Sequence, residues 1–375
     1  MKKILQVVSC LALGGTEAFI MSNYRQLDKS KYQFDFLVFV ENDDPYLEEI
    51  KSLGGRVFFC GLPAITKLKV FENNVIKIIR ENGPYDIVHS HVNIQNGFVM
   101  KAAHKAGIKR RISHSHDTSG KGATGIKFLV QCWKDYLIKR YATDFLACSK
   151  AAGNYLYGHK FFAEKGVVIP NGINLKPFFE VGNRKRSLIK EFNIPKKCNL
   201  IVGNITRFEP KKNPTFTVSV FKEILKHYPN AILLLGGPDG GELNKIKELV
   251  KELNIPENVR FIGSRRDIPD CLNLIDVYLF PSLFEGLSIG FLEAQAAACL
   301  CVASKGVSEE ASIVETSTMY LSLDETPDVW AELIATKLET WTKPDYEYIK
   351  SWFKRKGFEI ESSHKKLIEV YDGVK

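Results

Sequence analysis

Apolar and polar positions along this chain fall into two alternating rhythms. Short runs rich in β-branched and aromatic residues occupy 3–10, 34–40, 56–59, 86–91, 111–116, 144–148 and 167–169. Between them lie stretches with apolar residues at helical spacing, such as 16–29, 73–82 and 96–106. Strands alternating with helices predict a parallel sheet covered on both faces. The turn Pro170-Asn171-Gly172 interrupts this pattern, and a polar, basic segment follows to about residue 197. The strand rhythm then restarts at 200–205, 231–235, 259–262, 277–280 and 301–303.

This reading predicts an α/β protein of two Rossmann-like parallel-sheet domains facing across a cleft. The first covers 1–178, with a terminal helix at about 357–375 packing back on it. The second covers 179–356. Open α/β sheets bind ligands outside the carboxyl ends of their strands, so those ends are where chemistry is sought. No short-period repeat or low-complexity segment appears.

A length of 375 residues suits two domains rather than one core. Hydrophobic residues make up 45% and charged residues 25%, ordinary for a globular protein, and no apolar run reaches membrane-spanning length. Lys2 and Lys3 precede an apolar stretch ending in Val7-Val8-Ser9-Cys10, which looks like a lipoprotein cleavage box. Gln6 breaks that stretch, and a buried first strand accounts for it better. None of the eight cysteines forms a CxxC pair, which favours reduced thiols in a cytoplasmic protein. The net charge of +9 suits phosphates or an anionic membrane face. No RNP, zinc-finger or helix-turn-helix signature points to nucleic acid.

Three loops carry candidate chemistry. Leu13-Gly14-Gly15-Thr16-Glu17 follows the first strand, where glycines admit a close ligand and a helix N-terminus favours anions. Alone it also fits a plain strand-to-helix turn. Thr206-Arg207-Phe208-Glu209-Pro210-Lys211-Lys212-Asn213 follows the first strand of the second half. There Arg207 and Lys212 would clamp phosphates, each contact contributing roughly 1.5–3 kcal/mol; a solvated basic loop would read the same way. The third runs from Phe280 through Glu285, Gly286, Leu287, Ser288 and Ile289 to Glu293 and Ala294. The N–H groups of Leu287, Ser288 and Ile289 at a helix start suit a diphosphate. Glu285 and Glu293 flank that nest, where two carboxylates would hold hydroxyls; the plainer alternatives are a helix cap and a surface residue.

With these residues in view, the chain resembles the retaining glycosyltransferases of family 4. Glu285 and Glu293 match that family's EX7E motif. The Gly14-Gly15-Thr16-Glu17 loop, Val168-Ile169-Pro170-Asn171-Gly172-Ile173, Arg207, Lys212 and Phe280-Pro281-Ser282 match in the same order. The likeness covers nearly the whole chain and is greatest to bacterial exopolysaccharide and capsule members. It implies the GT-B fold and a nucleotide-sugar donor, with a UDP-sugar the commonest in the family. It also implies a saccharide or lipid-linked acceptor in cell-surface polysaccharide synthesis, and retention of anomeric configuration without a metal or other cofactor.

The resemblance also assigns roles. Gly14 and Gly15 would meet the donor phosphates, and Arg207 and Lys212 would neutralise the leaving diphosphate. Glu285 would contact the donor sugar and Glu293 the ribose. Backbone around Gly263 and Arg265 would receive the base. His116 matches a cleft histidine near the sugar, and His91 would line the acceptor side. Two departures, Glu285-Gly286-Leu287-Ser288 for EGFG and Ala298-Cys299-Leu300 for Gly-x-Pro, bear on the shape of the sugar pocket and remove no charged group. Independently of the family, the sequence has no Asp-x-Asp, so Arg207, Lys212 and a helix N-terminus are left to offset the leaving charge.

Two further features stand apart. His89/His91 and His114/His116 are HxH pairs, each on one face of a strand. They raise a zinc site and a metal-dependent hydrolase as one alternative, and acid/base work in a sugar-nucleotide epimerase as another. A plain structural role is expected for His89 and His114, and the metal set is expected to be none. Residues 121–141 place Ile126, Leu129, Val130, Trp133, Leu137 and Tyr141 at helical spacing among lysines and arginines. That spacing fits either a core-facing helix or a peripheral contact with an anionic membrane, at the inner face of the plasma membrane for a cytoplasmic protein.

Overall fold

A computed structural model describes residues 1–12, 14–41, 45–116, 126–180, 184–285 and 287–374, with the main chain alone at 65, 126 and 127. The chain divides into two units. One comprises Met1–Gly172 together with Ile360–Lys375, the other Ile173–Glu359.

The first unit is built on a seven-stranded sheet with every described pair parallel. Its strands are β1 (Lys2–Val8), β2 (Tyr32–Val38), β3 (Val57–Phe59), β4 (Ile87–Ser90), β5 (Arg110–Ser115), β6 (Asp144–Ala147) and β7 (Gly166–Val168). Their order is β3-β2-β1-β4-β5-β6-β7, so the winding reverses between β1 and β4. Ile4, Leu5, Val7 and Val8 of β1 are buried, as a strand covered on both faces requires.

The second unit repeats the plan with six strands: β8 (Ile201–Ile205), β9 (Ile232–Gly236), β10 (Val259–Gly263), β11 (Val277–Phe280), β12 (Leu300–Ser304) and β13 (Thr318–Leu321). The order β10-β9-β8-β11-β12-β13 reverses between β8 and β11. Both sheets therefore have the Rossmann winding, and each has a switch point where ligands bind in such folds.

Four helices matter below: α1 (Gly15–Gln26), α2 (Ile126–Tyr141), α3 (Ile289–Ala296) and α4 (Ile360–Asp372). In α2 the aromatic and aliphatic residues do not form the single face that helical spacing suggested. Leu137 and Ile138 are buried, whereas Phe128, Leu129, Trp133 and Tyr136 are exposed. The cause is close packing on the helix Asn96–Lys105, where a Cβ on Gly97 would stand 2.9 Å from the Leu137 Cβ and 2.7 Å from the Lys134 carbonyl oxygen. The Leu137 side turns inward, Val130 and Tyr141 are half-buried, and Phe128, Leu129, Trp133 and Tyr136 stay outside. Residues 121–125 of that stretch, and the side chains of 126 and 127, lie outside the described residues. No described helix is long and apolar enough to cross a membrane.

Helix α4 completes the first unit from the far end of the chain. The Ser363 hydroxyl donates to the Pro170 carbonyl at 2.5 Å. Lys2 pairs with Asp372 at 2.6 Å, Tyr32 donates to Asp372 at 2.8 Å, and the Tyr371 ring meets Phe34 edge-on.

The strand positions read from the sequence hold to within one or two residues at each end, and one strand was missed. β13 reads Thr-Met-Tyr-Leu at an edge, is only partly buried throughout, and its apolar run is just three residues long. The helix expected at 73–82 begins at Leu68, so that Leu68-Lys69-Val70-Phe71 form its first turn and Phe71 is buried.

Candidate active site

In the second unit, the carboxyl ends of β8 and β11 flank the switch point and carry the charged residues singled out above. The chain leaves β8 through Thr206 and Arg207, makes a short turn at Pro210–Lys212, and enters the helix Pro214–His227 through Asn213 in the left-handed region at φ 52°. Thr206 N–H donates to the Gly236 carbonyl and Phe208 N–H to the Pro238 carbonyl, so the β8 loop is laced to the β9 loop. That lacing needs Gly237, whose φ is +132° and whose Cβ would lie 1.9 Å from the Thr206 carbonyl oxygen.

The β8 loop also reaches the β11 loop. Leu283 N–H donates to the Lys211 carbonyl at 2.8 Å. Lys212 Nζ lies 2.5 Å from Glu285 Oε1, and Lys211 Nζ 3.8 Å from the same oxygen. The Lys212 and Glu285 side chains are 13% and 12% exposed, so this pair is largely withdrawn from water. Glu285 is held in turn by backbone: its N–H donates to Gly306 and its carbonyl accepts from Ser308. Arg207 stands exposed at the β8 end.

Ser288 caps α3 in extended conformation without a side-chain cap bond. Among the described residues, the N–H groups of Leu287, Ser288 and Ile289 have no hydrogen-bond acceptor, the arrangement that attracts an anion. Gly286, between the two motif carboxylates, lies outside the described residues.

Glu293 is one turn into α3. Its carboxyl has no hydrogen-bond or ion-pair partner among the described residues, and burial pushes it up to about 7. Its charge acts on buried Tyr278, whose hydroxyl donates to the Ile205 carbonyl at the end of β8. The structure thus joins Lys212 to Glu285 directly and sets Glu293 on α3, whose first turn lies beside the end of β8: a Cβ on Gly290 would stand 3.7 Å from the Ile205 carbonyl oxygen.

The β10 end is separately built. Gly263 has φ +68°, and its carbonyl accepts from Gly237 N–H at 2.9 Å. The Arg265 guanidinium forks onto Asp267 at 2.8 and 2.7 Å and reaches Glu191 at 2.6 Å. With its side chain so occupied, Arg265 offers a ligand chiefly its main chain.

In the first unit, Gly14 precedes α1 in extended conformation and Gly15 begins the helix; Leu13 lies outside the described residues. The histidines sit at the carboxyl ends of β4 and β5, which are paired strands. His91 Nδ1 is 2.8 Å from His116 Nε2, and His89 Nε2 is 3.1 Å from His114 Nδ1. Asn96 fixes these strand ends: it accepts from Ser90 and the Val92 N–H, and donates to Ser113 and the His114 carbonyl. Burial drives His89, His91 and His114 well below the ordinary imidazole range, so they are neutral.

Nitrogens of His89, His91 and His114 lie within 4.8 Å of one another, close enough to converge on a metal ion. Both nitrogens of His89 and both of His91 are already engaged in hydrogen bonds, to Tyr371 and His114 and to His116 and Gln6. A cation would have to break that chain, and among the described residues no carboxylate joins the three histidines to offset its charge. The donor set fits a proton-ordered network better than a metal centre. The sequence showed each HxH pair, but the partners Gln6 and Tyr371 were missed. They are far away along the chain, and neither belongs to a motif.

Comparison with known proteins agrees with this architecture. Residues 13–176 match the family model described as Glycosyltransferase Family 4, and residues 185–351 match Glycosyl transferases group 1. EpsF of Bacillus subtilis, itself named only provisionally as a glycosyltransferase, is 34% identical over 380 residues, covering 99% of this chain and 96% of its own. The UDP-Gal:alpha-D-GlcNAc-diphosphoundecaprenol alpha-1,3-galactosyltransferase of Escherichia coli is 25% identical, covering 80% of this chain and 79% of its own. The structure of HepE from Anabaena with UDP-glucose superposes with a TM-score of 0.82 at 19% identity, covering both chains fully. The two Rossmann sheets, the motif residues gathered at the second switch point and these matches along the whole chain make this protein a glycosyltransferase of family 4 with the GT-B fold.

Proposed function

We propose that the chain transfers a sugar from a UDP-sugar to a lipid-linked saccharide with retention of anomeric configuration, in the assembly of a cell-surface polysaccharide. The observation that carries this reading is the second switch point: Lys212 locked on Glu285, with the N–H groups at the start of α3 and the Glu293 carboxyl having no partner among the described residues. The diphosphate takes the N–H groups, with Lys212 and Arg207 offsetting the charge that develops on it as the glycosidic bond breaks. Glu285 meets the sugar and Glu293 the ribose hydroxyls. The main chain at Gly263 and Arg265 meets the base, Gly14 and Gly15 the phosphates, His116 the sugar and His91 the acceptor. Groups placed in advance where charge develops account for catalysis by stabilisation, with removal of one such donor costing roughly 2.7–4 kcal/mol. On this reading no metal is required, because the cations and the helix N-terminus supply the positive charge.

The UDP moiety and the lipid-linked acceptor are supported by the named substrates of the E. coli relative and by the HepE complex. The exposed apolar residues of α2, beside Lys139 and Arg140, fit a peripheral contact of a cytoplasmic enzyme with the anionic inner face of the plasma membrane, where such an acceptor resides.

A thermal-shift panel of UDP-, GDP-, CDP- and ADP-sugars tests the donor. Stabilisation by a UDP-sugar alone is expected, since a ligand bound to the folded state stabilises it by mass action. A shift with another nucleotide and none with UDP-sugars would overturn the choice of UDP. Incubating the selected donor without acceptor separates transfer from epimerisation, because an epimerase would isomerise it.

A further inference from the structure

The loop that leaves β10 presents open main chain on one side and is tied down by one side chain on the other. β10 shifts register against β9 between Phe261 and Gly263, and Gly263 turns the chain out of the sheet at φ +68°. Ser264 and Arg266 are exposed, and among the described residues the N–H groups of Ser264, Arg265 and Arg266 have no hydrogen-bond acceptor. Arg265 stands between them with its side chain only 18% exposed. Its Nε and Nη2 meet the two Asp267 oxygens and its Nη1 meets Glu191, so all three guanidinium nitrogens are engaged. The fork holds the Asp267 carboxyl below the ordinary carboxylate range. Glu191 ends the helix Arg184–Glu191, which is fastened at its other end too: Arg184 reaches Asp270 at 2.8 Å and Asp267 at 3.6 Å. Just past the helix, the buried Phe192 ring lies beside the Arg265 guanidinium, 5.2 Å from carbon to centroid. Arg260 of β10 donates to the Phe192 and Asn193 carbonyls at 3.0 and 3.1 Å.

We propose that Glu191 and Asp267 are positioning residues for the nucleotide base: acting through the Arg265 guanidinium, they hold the main chain of residues 263–266 in the shape that the base binds. This rests on the reading that the base is received there. Arg265 is then a tether and not a ligand contact, because its side chain is spent on the protein. The physical basis is preorganisation. An exposed loop without main-chain hydrogen bonds has to be ordered when a ligand arrives, and that ordering entropy is subtracted from binding unless the fold has already supplied it. A forked guanidinium–carboxylate contact supplies direction as well as strength, so it fixes the backbone that carries it. The helix Arg184–Glu191 is the buttress to which the fork is anchored. The diphosphate is met elsewhere, at the start of α3, so the tether serves the base end of the nucleotide alone.

The test is calorimetric binding of two probes to the full chain, UDP and inorganic pyrophosphate. If the thermal-shift panel selects another donor, its nucleoside diphosphate replaces UDP. Arg265→Met keeps the main chain and removes the tether. It is expected to weaken UDP about tenfold and to leave pyrophosphate within about twofold of wild type. Glu191→Gln changes a half-exposed side chain and is expected to weaken UDP about threefold at an unchanged melting temperature. The double variant is expected to bind UDP no more weakly than Arg265→Met alone, because Glu191 works through Arg265. UDP affinity within about twofold of wild type in Arg265→Met overturns the proposal, as does equal weakening of both probes. So does a Glu191→Gln that binds UDP as tightly as wild type or more tightly, the result expected if a released guanidinium gripped the ligand itself. If Arg265→Met does not fold, Glu191→Gln and Asp267→Asn decide by the same ratio of UDP to pyrophosphate affinity. Wild type that binds pyrophosphate and no nucleoside diphosphate would sink the base-site reading and the proposal with it, whereas the variant outcomes bear on the tether alone.

Discussion

Lys212 and Glu285 are bound to each other across the switch point of the second sheet, Nζ to Oε1 at 2.5 Å, with both side chains about seven-eighths buried. The two roles assigned from the sequence, diphosphate neutralisation and sugar contact, therefore belong to one coupled unit. Removing the lysine leaves a buried carboxylate whose one remaining cation among the described residues is Lys211, at 3.8 Å. Lys212→Ala is expected to lower kcat/KM by roughly 2–4 kcal/mol and also to lower the melting temperature. Adding Glu285→Gln should restore the melting temperature and leave activity low. Recovery of activity in the double variant would show that Lys212 serves Glu285 and not the leaving group.

Arg207 makes the complementary case. It is exposed, and among the described residues its side chain makes no hydrogen bond or ion pair. Arg207→Ala should keep the wild-type melting temperature while turnover falls on the same scale of about 2–4 kcal/mol. Near-normal turnover would remove Arg207 from the site.

Glu293 gives the pH dependence. Its folded carboxyl sits at about 7, against 4.5 as the ordinary value, because burial disfavours the charge. A raised carboxyl means the folded state holds the extra proton. The associated stability is complete below about pH 4.5 and is lost as pH rises through about 7. Glu293→Gln should therefore match wild type near pH 4.5 and exceed it by on the order of 2 kcal/mol near pH 8, read by denaturant unfolding at both. Equal stability at both would mean the carboxyl is not desolvated.

The exposed residues of α2 predict vesicle binding. Wild type should float with anionic liposomes at low salt, and Leu129→Ser with Trp133→Ser should abolish flotation while the melting temperature stays within a few degrees, because both side chains are exposed. Wild-type protein that stays at the bottom of the gradient would end the membrane reading. In the same preparations, turnover should persist in EDTA if Lys212, Arg207 and the α3 N–H groups carry the leaving charge.

What the sequence disclosed depended on whether a signal was local. The strands of both sheets were readable because a strand buried on both faces is a short apolar run, as in Ile232–Gly236. β13 lacked that signal because an edge strand is half covered and its residues are mixed. Glu285, Glu293, Arg207 and Lys212 were visible as motif residues, but their joining was not, since the ion pair spans 73 positions. The histidine pairs were visible from their spacing of two. Their alignment into one hydrogen-bonded chain depends on the register of β4 with β5 and on a tyrosine 282 positions from His89. The apolar residues of α2 were visible too, but which of them face inward was decided by Gly97, which belongs to another helix.

The anchoring of α4 has a consequence for how the chain matures. The first unit includes residues 360–375, and its opening strand is tied at Lys2 and Gln6 to Asp372 and Tyr371. During synthesis the second unit is fully translated before those residues exist. The half that is translated first is thus the half that is finished last, and until then its β1–β4 region lacks a buried aromatic plug. A chain truncated after residue 359 and released should present a folded second unit and an incomplete first one, the reverse of the order in which their sequences are translated.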